Sequence, residues 1–557
     1  METLPLAKFR QQVEQHPERV WLRQPRAGQL LNLRWQDVDE QARRLAAALQ
    51  AMGCAPGDRV AIWGKNCAEW FISDLAIMMA GLVSVPLYPA QSATGLRYVL
   101  EHSKTKVLII GRLEDLPDLN SAVPEQVVRI AMPLCDLPSQ HDWATLQAKY
   151  AALPLAQLHQ QSAEELATIV YTSGTTGNPK GVMHSPRTMA FAAAQAVAHM
   201  QITEDDRFFS YLPLSHVAER FMVEMASLFS GAPVSFAESL ETFADNLRDV
   251  QPTVFFSVPR LWTRFQQGVL EKMPAAKLDK LLKLPLINRL VARKIRQALG
   301  LNAARIMITG AAPISRSLLE WYARLGLHLN EGYGMSENMA YGCFNLPGQI
   351  RHGTVGKAMP NNEVRISETG EILFRSRALM QGYYLEPEKT AEALIDGWLH
   401  TGDKGELDSD GYLTITGRVK DIFKTSKGKY VAPAPIEGLL AASELIEQVC
   451  LLGSGMDQPV ALLELAPATG ELAQAEIEQR LSEHLGHVNR QLLAHERVRF
   501  VYVVSQPWTI DNGCMTPTLK IRRNHLESLF AESLAALKPE QPVLWQAQQQ
   551  QTVGEPA

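Results

Sequence analysis

Hydrophobic and polar positions change period along the first part of the chain, and each change marks an element. In "WQDVDEQARRLAAALQAMG" the apolar residues recur three and four apart and stop at Gly53, which predicts an amphipathic helix. The short run "DRVAIWG" predicts a strand, Ala68 to Met79 a helix, and "LVSVPLY" another strand. Farther on, "KVLIIG" and "ATIVYTS" are strand candidates, and "PTVFFSVP", "RIMITG" and "LHLNEGYG" repeat a short β-rich run closing on Gly or Pro. Strands alternating with helices predict parallel α/β layers, whose ligands sit at the carboxyl ends of the strands.

From about Thr401 the texture changes. "HTGDKGELDSDGYLTITGRVKDIFKTSKGKYVAP" sets Asp-Gly and Gly turns between short β-rich runs and predicts a small antiparallel sheet followed by a linker. A helix over Ala434 to Ser443 follows, then strands at Gln448 to Leu452 and Val460 to Leu465. A long helix from Gly470 to Leu485, a strand from Val498 to Val504 and a terminal helix complete an α+β module. The Gln-rich end, "LWQAQQQQTVGEPA", is expected to be disordered.

Size and composition narrow the function classes. A chain of 557 residues exceeds a single compact core, so at least two domains are expected. Hydrophobic content of 46%, charged content of 20% and a net charge of -5 describe an ordinary globular protein and argue against a nucleic-acid binder. The six cysteines stand far apart without a C-x-x-C pair, which suggests neither a zinc site nor a disulfide framework and fits a reducing cytoplasm. Charges interrupt the N-terminal stretch where a signal peptide needs an apolar core, and Leu75 to Ala90 is too short to span a bilayer. A cytoplasmic location is the expectation.

"YTSGTTGNPKG", from Tyr171 to Gly181, packs three glycines, a cluster of hydroxyls and one lysine behind an apolar run. Such a loop suits phosphate, because glycines bring backbone N–H groups close to an anion while hydroxyls and a lysine add donors and charge. It does not fit G-x-x-x-x-G-K-[ST]: five positions after Gly174 stands Pro179, and Gly181 follows Lys180. A phosphate cradle and a plain glycine-rich turn both remain open on these residues alone.

Four further stretches make the pattern specific. "LPLSHVAER" (Leu212 to Arg220), "NEGYGMSEN" (Asn330 to Asn338), "WLHTGDKGELDSDGYLTITGRVKD" (Trp398 to Asp421) and "PTLKIRR" (Pro517 to Arg523) follow the glycine loop in the order used by adenylate-forming enzymes. The chain resembles an acyl-CoA synthetase of that superfamily, which also holds firefly luciferase and the adenylation domains of nonribosomal peptide synthetases. Its versions of the motifs are most similar to the long-chain fatty acyl-CoA synthetase branch. The resemblance implies a large N-terminal domain of layered α/β subdomains plus a β-rich subdomain (1–417), a hinge (418–422), a small mobile α+β domain (423–540) and a tail (541–557). It also implies two half-reactions. A carboxylate attacks the α-phosphorus of ATP to give acyl-adenylate and pyrophosphate, and the thiol of CoA then displaces AMP.

Residue roles carry over from the resemblance position by position. Ser173, Gly174, Thr175, Thr176, Gly177 and Lys180 would hold the β- and γ-phosphates, with Thr175 and Glu337 sharing a magnesium ion and Ser336 bonding the α-phosphate. Gly310, Ala311, Ala312, Glu331, Gly332, Tyr333 and Gly334 would form the adenine slot, with Tyr333 stacking on the base. Asp403 would take the ribose hydroxyls and Arg418 a second ribose or phosphate contact. Lys520 would enter the site for adenylation and stabilise the transition state. His216 and Val258 would line the substrate path, Lys420 would mark the hinge, and Gly428 would give room to the CoA pantetheine arm, with Lys424, Lys427 and Lys429 facing either CoA phosphates or solvent.

The acyl pocket is harder to read. Phe221, Phe255, Phe256, Val258 and Trp262 stand in segments that the resemblance places along the substrate tunnel, and they fit the core equally. Lys272 to Arg296 carries eight Lys or Arg against one Asp with Leu and Ile at intervals. It reads either as a solvated helix broken at Pro285 or as an amphipathic segment resting on the inner face of an anionic membrane. Three functions stay in view: a fatty acid–CoA ligase, an adenylating enzyme serving a carrier protein or other acceptor, and a non-catalytic binder of nucleotide or fatty acid. Chain-length specificity and oligomeric state are not encoded in any of these motifs.

Overall fold

The computed structural model describes residues 3–113, 122–172, 178–516, 520–537 and 541–546. Two large sheets dominate the N-terminal part. The first has nine strands, with Val20–Arg26, Val234–Phe236, Phe208–Ser210, Val254–Ser257, Ile306–Thr309 and Leu329–Tyr333 running parallel at its centre. The second has eight, with Thr168–Thr172, Val83–Leu87, Arg59–Trp63, Thr105–Ile110 and Val128–Ala131 parallel and Lys180–His184 turning back antiparallel. Central parallel strands are covered on both faces, which is why they read as unbroken apolar runs such as "VFFS" and "VLII".

Helices fill the space between the sheets. Ala68–Met79 falls where the sequence places it and is buried at every position, its two acids paired, Glu69 with Arg26 and Asp74 with Arg220. Together with Trp35–Ala51 and Pro186–His199 it joins both sheets in one continuous core that includes Val60, Ile109, Phe208 and Phe236. Trp21 and Trp35 stack there with ring centroids 4.1 Å apart.

The antiparallel sheet begins earlier than its turn signals indicate. It starts at Asn362–Ile366, continues through Glu371–Ser376 and Trp398–Leu407, and closes with Leu413–Arg418. Asn362–Ile366 alternates exposed and partly covered residues, so its polar content conceals it, while Glu371–Ser376 offers only three apolar residues in a row, Ile372, Leu373 and Phe374.

The C-terminal part is a four-stranded sheet, Ile446–Leu452, Val460–Leu465, Val501–Val503 and Val543–Trp545, with a helix on each face. Alternate side chains divide between two cores. Val449, Leu451 and Leu463 pack beneath Gln474–Asn489, while Cys450, Leu452 and Leu462 pack beneath Arg523–Ala536. Two expectations need correction. The long helix is displaced from Gly470–Leu485 to Gln474–Asn489 because Pro467–Glu471 first forms a 3-10 turn. The tail is not wholly disordered: Val543–Trp545 is a paired strand, and Trp545 Nε1 donates to Glu478 Oε1 at 2.8 Å. Residues 547–557 lie outside the described residues.

Candidate active site

The carboxyl edge of the nine-stranded sheet gathers most of the candidate residues. Gly310, Ala311 and Ala312 follow strand Ile306–Thr309, alongside Glu331, Gly332 and Tyr333 at the end of its neighbour. The two backbones are close: a Cβ on Gly310 would stand 3.0 Å from the Gly332 carbonyl oxygen, and one on Gly334 would stand 2.5 Å from the Ala340 carbonyl carbon. Ala311 takes φ of 65°, and Ala311 and Ala312 face solvent, giving a shallow slot floored by small residues. Burial pushes the Glu331 carboxyl up to about 7, and its Oε2 has no partner among the described residues.

Asp403 closes the slot from the antiparallel sheet. Tyr333 donates its hydroxyl to Asp403 Oδ2 at 2.6 Å, and Arg418, paired with Asp403 across adjacent strands, donates Nε to Oδ1 at 3.0 Å. Each carboxylate oxygen retains a lone pair, so a diol remains within its capacity. The Tyr333 ring leans on Phe374 with centroids 5.8 Å apart.

At the phosphate end, Lys180 opens the strand that returns from the glycine loop. Ser173, Gly174, Thr175, Thr176 and Gly177 themselves lie outside the described residues. The Lys180 ammonium rests 4.6 Å from the centre of the Tyr383 ring, and the Tyr383 hydroxyl donates to Glu337 Oε1 at 2.7 Å. Ser336 and Glu337 sit on a 3-10 turn, and His184 Nε2 donates to the Ser336 carbonyl at 2.7 Å. Burial lowers the His184 pKa to about 4, which keeps it a neutral donor. Among the described residues, no group of three or more His, Cys, Asp or Glu is arranged to hold a metal by itself. A single buried carboxylate such as Glu337 instead fits Mg2+, which takes one or two carboxylates and completes its shell with phosphate and water.

The C-terminal domain contributes Lys520. Its backbone N–H donates to Thr516 Oγ1 at 3.0 Å, and Met515 and Ile521 bridge across the loop that carries it. The side chain keeps access to solvent, yet enough protein surrounds it that desolvation, followed by the Arg418 charge, lowers its pKa against the opposing pull of Asp403 and Glu337. Lys520 in turn acts on His216, whose pKa falls to about 4 through burial first and that charge second. His216 Nδ1 accepts the Ala218 N–H at 3.2 Å, leaving Nε2 to carry the proton. Lys520 thus lies within electrostatic reach of Arg418, Asp403, Glu337 and His216. Val258 follows a strand on the same carboxyl edge. Arg260, two residues on, forms an ion pair with Glu447 of the C-terminal sheet. Lys420 stands in an exposed turn just after Arg418. Gly428 is not among these groups: its hairpin, Phe423–Lys424 and Tyr430–Val431, bonds to the turn at Gly455 and Met456.

Residues 9–384 match the AMP-binding enzyme family, and residues 420–539 match the AMP-binding enzyme C-terminal domain. The chain belongs to the AMP-binding enzymes. Among curated relatives it is 31% identical to the long-chain-fatty-acid–CoA ligase FadD15 of Mycobacterium tuberculosis, over 90% of this chain and 92% of that one. The fold is shared with O-succinylbenzoate CoA synthetase of Bacillus subtilis in complex with AMP (TM-score 0.75, 22% identity, 95% of this chain and 98% of that one). It is also shared with the A domain of carboxylic acid reductase from Segniliparus rugosus (TM-score 0.79, 22% identity, 96% and 94%). The protein is an adenylate-forming acyl-CoA synthetase, an acid–thiol ligase.

Three residues of this AMP-binding enzyme carry structure at the cleft that motif reading passed over. Tyr383 ties Lys180 to Glu337, and His184 fixes Ser336; His184 has one signal in the sequence, its place on the strand after the glycine loop, and Tyr383, which reaches that strand only in the folded sheet, has none. Asn66, from the second sheet, donates to Ser210 Oγ at 2.8 Å and to the Leu212 carbonyl at 2.6 Å, which pins the start of "LPLSHVAER".

Glu219 in that motif accepts from Ser210 Oγ at 2.9 Å and from the Tyr211 N–H at 3.1 Å, and burial pushes it up to about 8. The folded enzyme therefore holds a proton that a free glutamate releases near 4.5, and stability falls as pH rises through this window. Glu219→Gln removes that dependence. Its melting temperature should decline less than the wild type's from about pH 5 to about pH 8, measured by thermal unfolding in a pH series; parallel curves would contradict the assignment.

Proposed function

We propose that this enzyme activates a long- or medium-chain fatty acid as its acyl-adenylate and transfers the acyl group to CoA, releasing AMP and pyrophosphate. The supporting observation is that Lys520, on the C-terminal domain, lies within electrostatic reach of Arg418, Asp403, Glu337 and His216. In this reading the Gly310–Ala312 and Glu331–Gly334 segments receive adenine beside Tyr333. Asp403 accepts the ribose hydroxyls from the face left free by Tyr333 and Arg418. Ser336 bonds the α-phosphate. Lys180 leaves the Tyr383 ring for the β- and γ-phosphates, and the glycine loop with Ser173, Gly174, Thr175, Thr176 and Gly177 closes over them. Mg2+, held by Glu337 with Thr175, would neutralise phosphate charge when bound. Lys520 then places its ammonium between the fatty carboxylate and the α-phosphate, where charge develops.

The second half-reaction needs Lys520 withdrawn. Rotation about Lys420 would carry it away and bring the Gly428 hairpin to line the CoA path, as hinge motions of a few residues do. Its present bonding to Gly455 and Met456 within the C-terminal domain is compatible with movement as a unit. His216, neutral and carrying its proton on Nε2, would donate to the acyl carboxylate beside Val258.

The test is pyrophosphate release and thioester formation with ATP, magnesium and fatty acids from hexanoate to oleate, with and without CoA. Both products should appear with at least one acid of the series. Pyrophosphate without thioester would remove CoA as acceptor and point to a carrier protein or another acceptor. No pyrophosphate with any fatty acid would overturn the substrate class.

A further inference from the structure

Three helices connect strand Val254–Ser257 to strand Ile306–Thr309: Pro259–Lys272, Ala275–Lys283 and Ile287–Ala298. The last two pack on each other as a hairpin. Its inner side is ordinary core, with Leu278, Ala292 and Ile295 buried in the cluster that holds Trp262 and Tyr322. Its tip is not. Leu284, Leu286, Ile287 and Leu290 all face solvent, Leu286 at 75% and Leu290 at 61% exposure.

Charge surrounds this apolar tip with one sign. Lys280, Lys283, Arg289, Arg293 and Lys294 are exposed, and none has a carboxylate partner among the described residues. The one acid of the segment, Asp279, accepts from Arg324 at 2.6 Å. The whole chain carries a net charge of -5, so this basic cluster runs against the protein's own balance. A merely solvated hairpin accounts for the lysines but not for four large apolar residues at the turn. A second copy meeting the same surface would oppose basic cluster to basic cluster.

Ile287–Ala298 must end at the amino edge of the strand it feeds, Ile306–Thr309. Near that end Arg296 donates to the Leu325 carbonyl ahead of Leu329–Tyr333. The tip lies about 14 Å of helix away from Arg296, at the opposite end of Ile287–Ala298.

We propose that the Leu284–Leu290 tip inserts into the surface of an anionic lipid bilayer while Lys280, Lys283, Arg289, Arg293 and Lys294 contact its headgroups. Apolar insertion and basic attraction together are the signature of interfacial helices. The surface gives a reason for the fatty acid reading but is independent of it, since binding to lipid requires no turnover.

The experiment is co-sedimentation of the full chain with vesicles of phosphatidylglycerol and phosphatidylcholine, against vesicles of phosphatidylcholine alone, at low and high salt. Wild-type protein should sediment with the anionic vesicles and be released by salt. Leu286→Glu/Leu290→Glu and Lys280→Glu/Lys283→Glu/Arg289→Glu should each lower partitioning about tenfold or more, with unchanged melting temperature and unchanged pyrophosphate release from soluble hexanoate. Equal binding by wild type and both variants, or no binding of wild type to anionic vesicles, would overturn the proposal. So would a lipid-free oligomer that Leu286→Glu/Leu290→Glu abolishes, because a second copy would then cover the tip. Loss of turnover with intact vesicle binding would count against the fatty acid reading and leave the lipid surface standing.

Discussion

Lys520→Ala should slow acyl-adenylate formation by about 10²- to 10³-fold, the loss expected when one preorganised donor facing developing charge is removed. The lysine is crowded enough for desolvation to lower its pKa, and Arg418 adds to that cost, so its place beside Asp403 and Glu337 is electrostatically expensive. Such a position is a reason to assign it to the reaction and not to surface solubility. Single-turnover pyrophosphate release would measure the loss. Thioester formation from supplied acyl-adenylate and CoA should remain near the wild-type rate, because the proposed second half-reaction proceeds with Lys520 withdrawn. A variant that adenylates at the wild-type rate would remove Lys520 from the mechanism, and one that loses both halves equally would point to a folding defect.

Parallel layers were legible because burial on both faces writes itself as continuous apolar sequence. Ala68–Met79 and Val460–Leu465 begin and end where the pattern changes. Asn362–Ile366 was not legible, since its solvated face puts Glu363 and Arg365 two apart, and Glu371–Ser376 was not because three apolar residues make too short a run to mark a strand. Val543–Trp545 was masked by the glutamines around it. Three apolar residues make a strand there only because Val501–Val503 offers an open edge.

In the site, residues that touch the ligands in this reading belong to local motifs and could be located without the fold. Residues that hold those residues could not. Tyr383 reaches Glu337 across 46 positions because strand Gly382–Tyr383 extends the sheet edge next to Lys180–His184. The Tyr333–Asp403 bond spans 70 positions and joins two different sheets. No period or spacing encodes such pairs; they exist only once the sheets are assembled.

Arg220 closes "LPLSHVAER", a motif otherwise assigned to substrate, yet it is fully buried and has no exposure to the cleft. Its Nη2 donates to both Asp74 oxygens at 2.6 Å and to Ser84 Oγ at 3.0 Å, Nη1 donates to Thr168 Oγ1 at 2.6 Å, and Nε donates to Glu224 at 3.2 Å. Burial, and then the Asp74 charge, push the Glu224 carboxyl well above its usual range, while Asp74 meets the guanidinium through both of its oxygens. Arg220→Met would strand Asp74 in the core and should destabilise the N-terminal domain by about 3 to 5 kcal/mol, read from its urea transition. Asp74→Leu/Arg220→Met removes the stranded charge together with its partner and should recover part of that loss. Thr168 begins the strand that leads into the glycine loop, so the single variant should lose adenylation in step with folding and regain it where the double variant is folded. Equal stability of Arg220→Met and wild type would show that the buried network contributes nothing to holding the helices of Asp74 and Arg220 on the eight-stranded sheet.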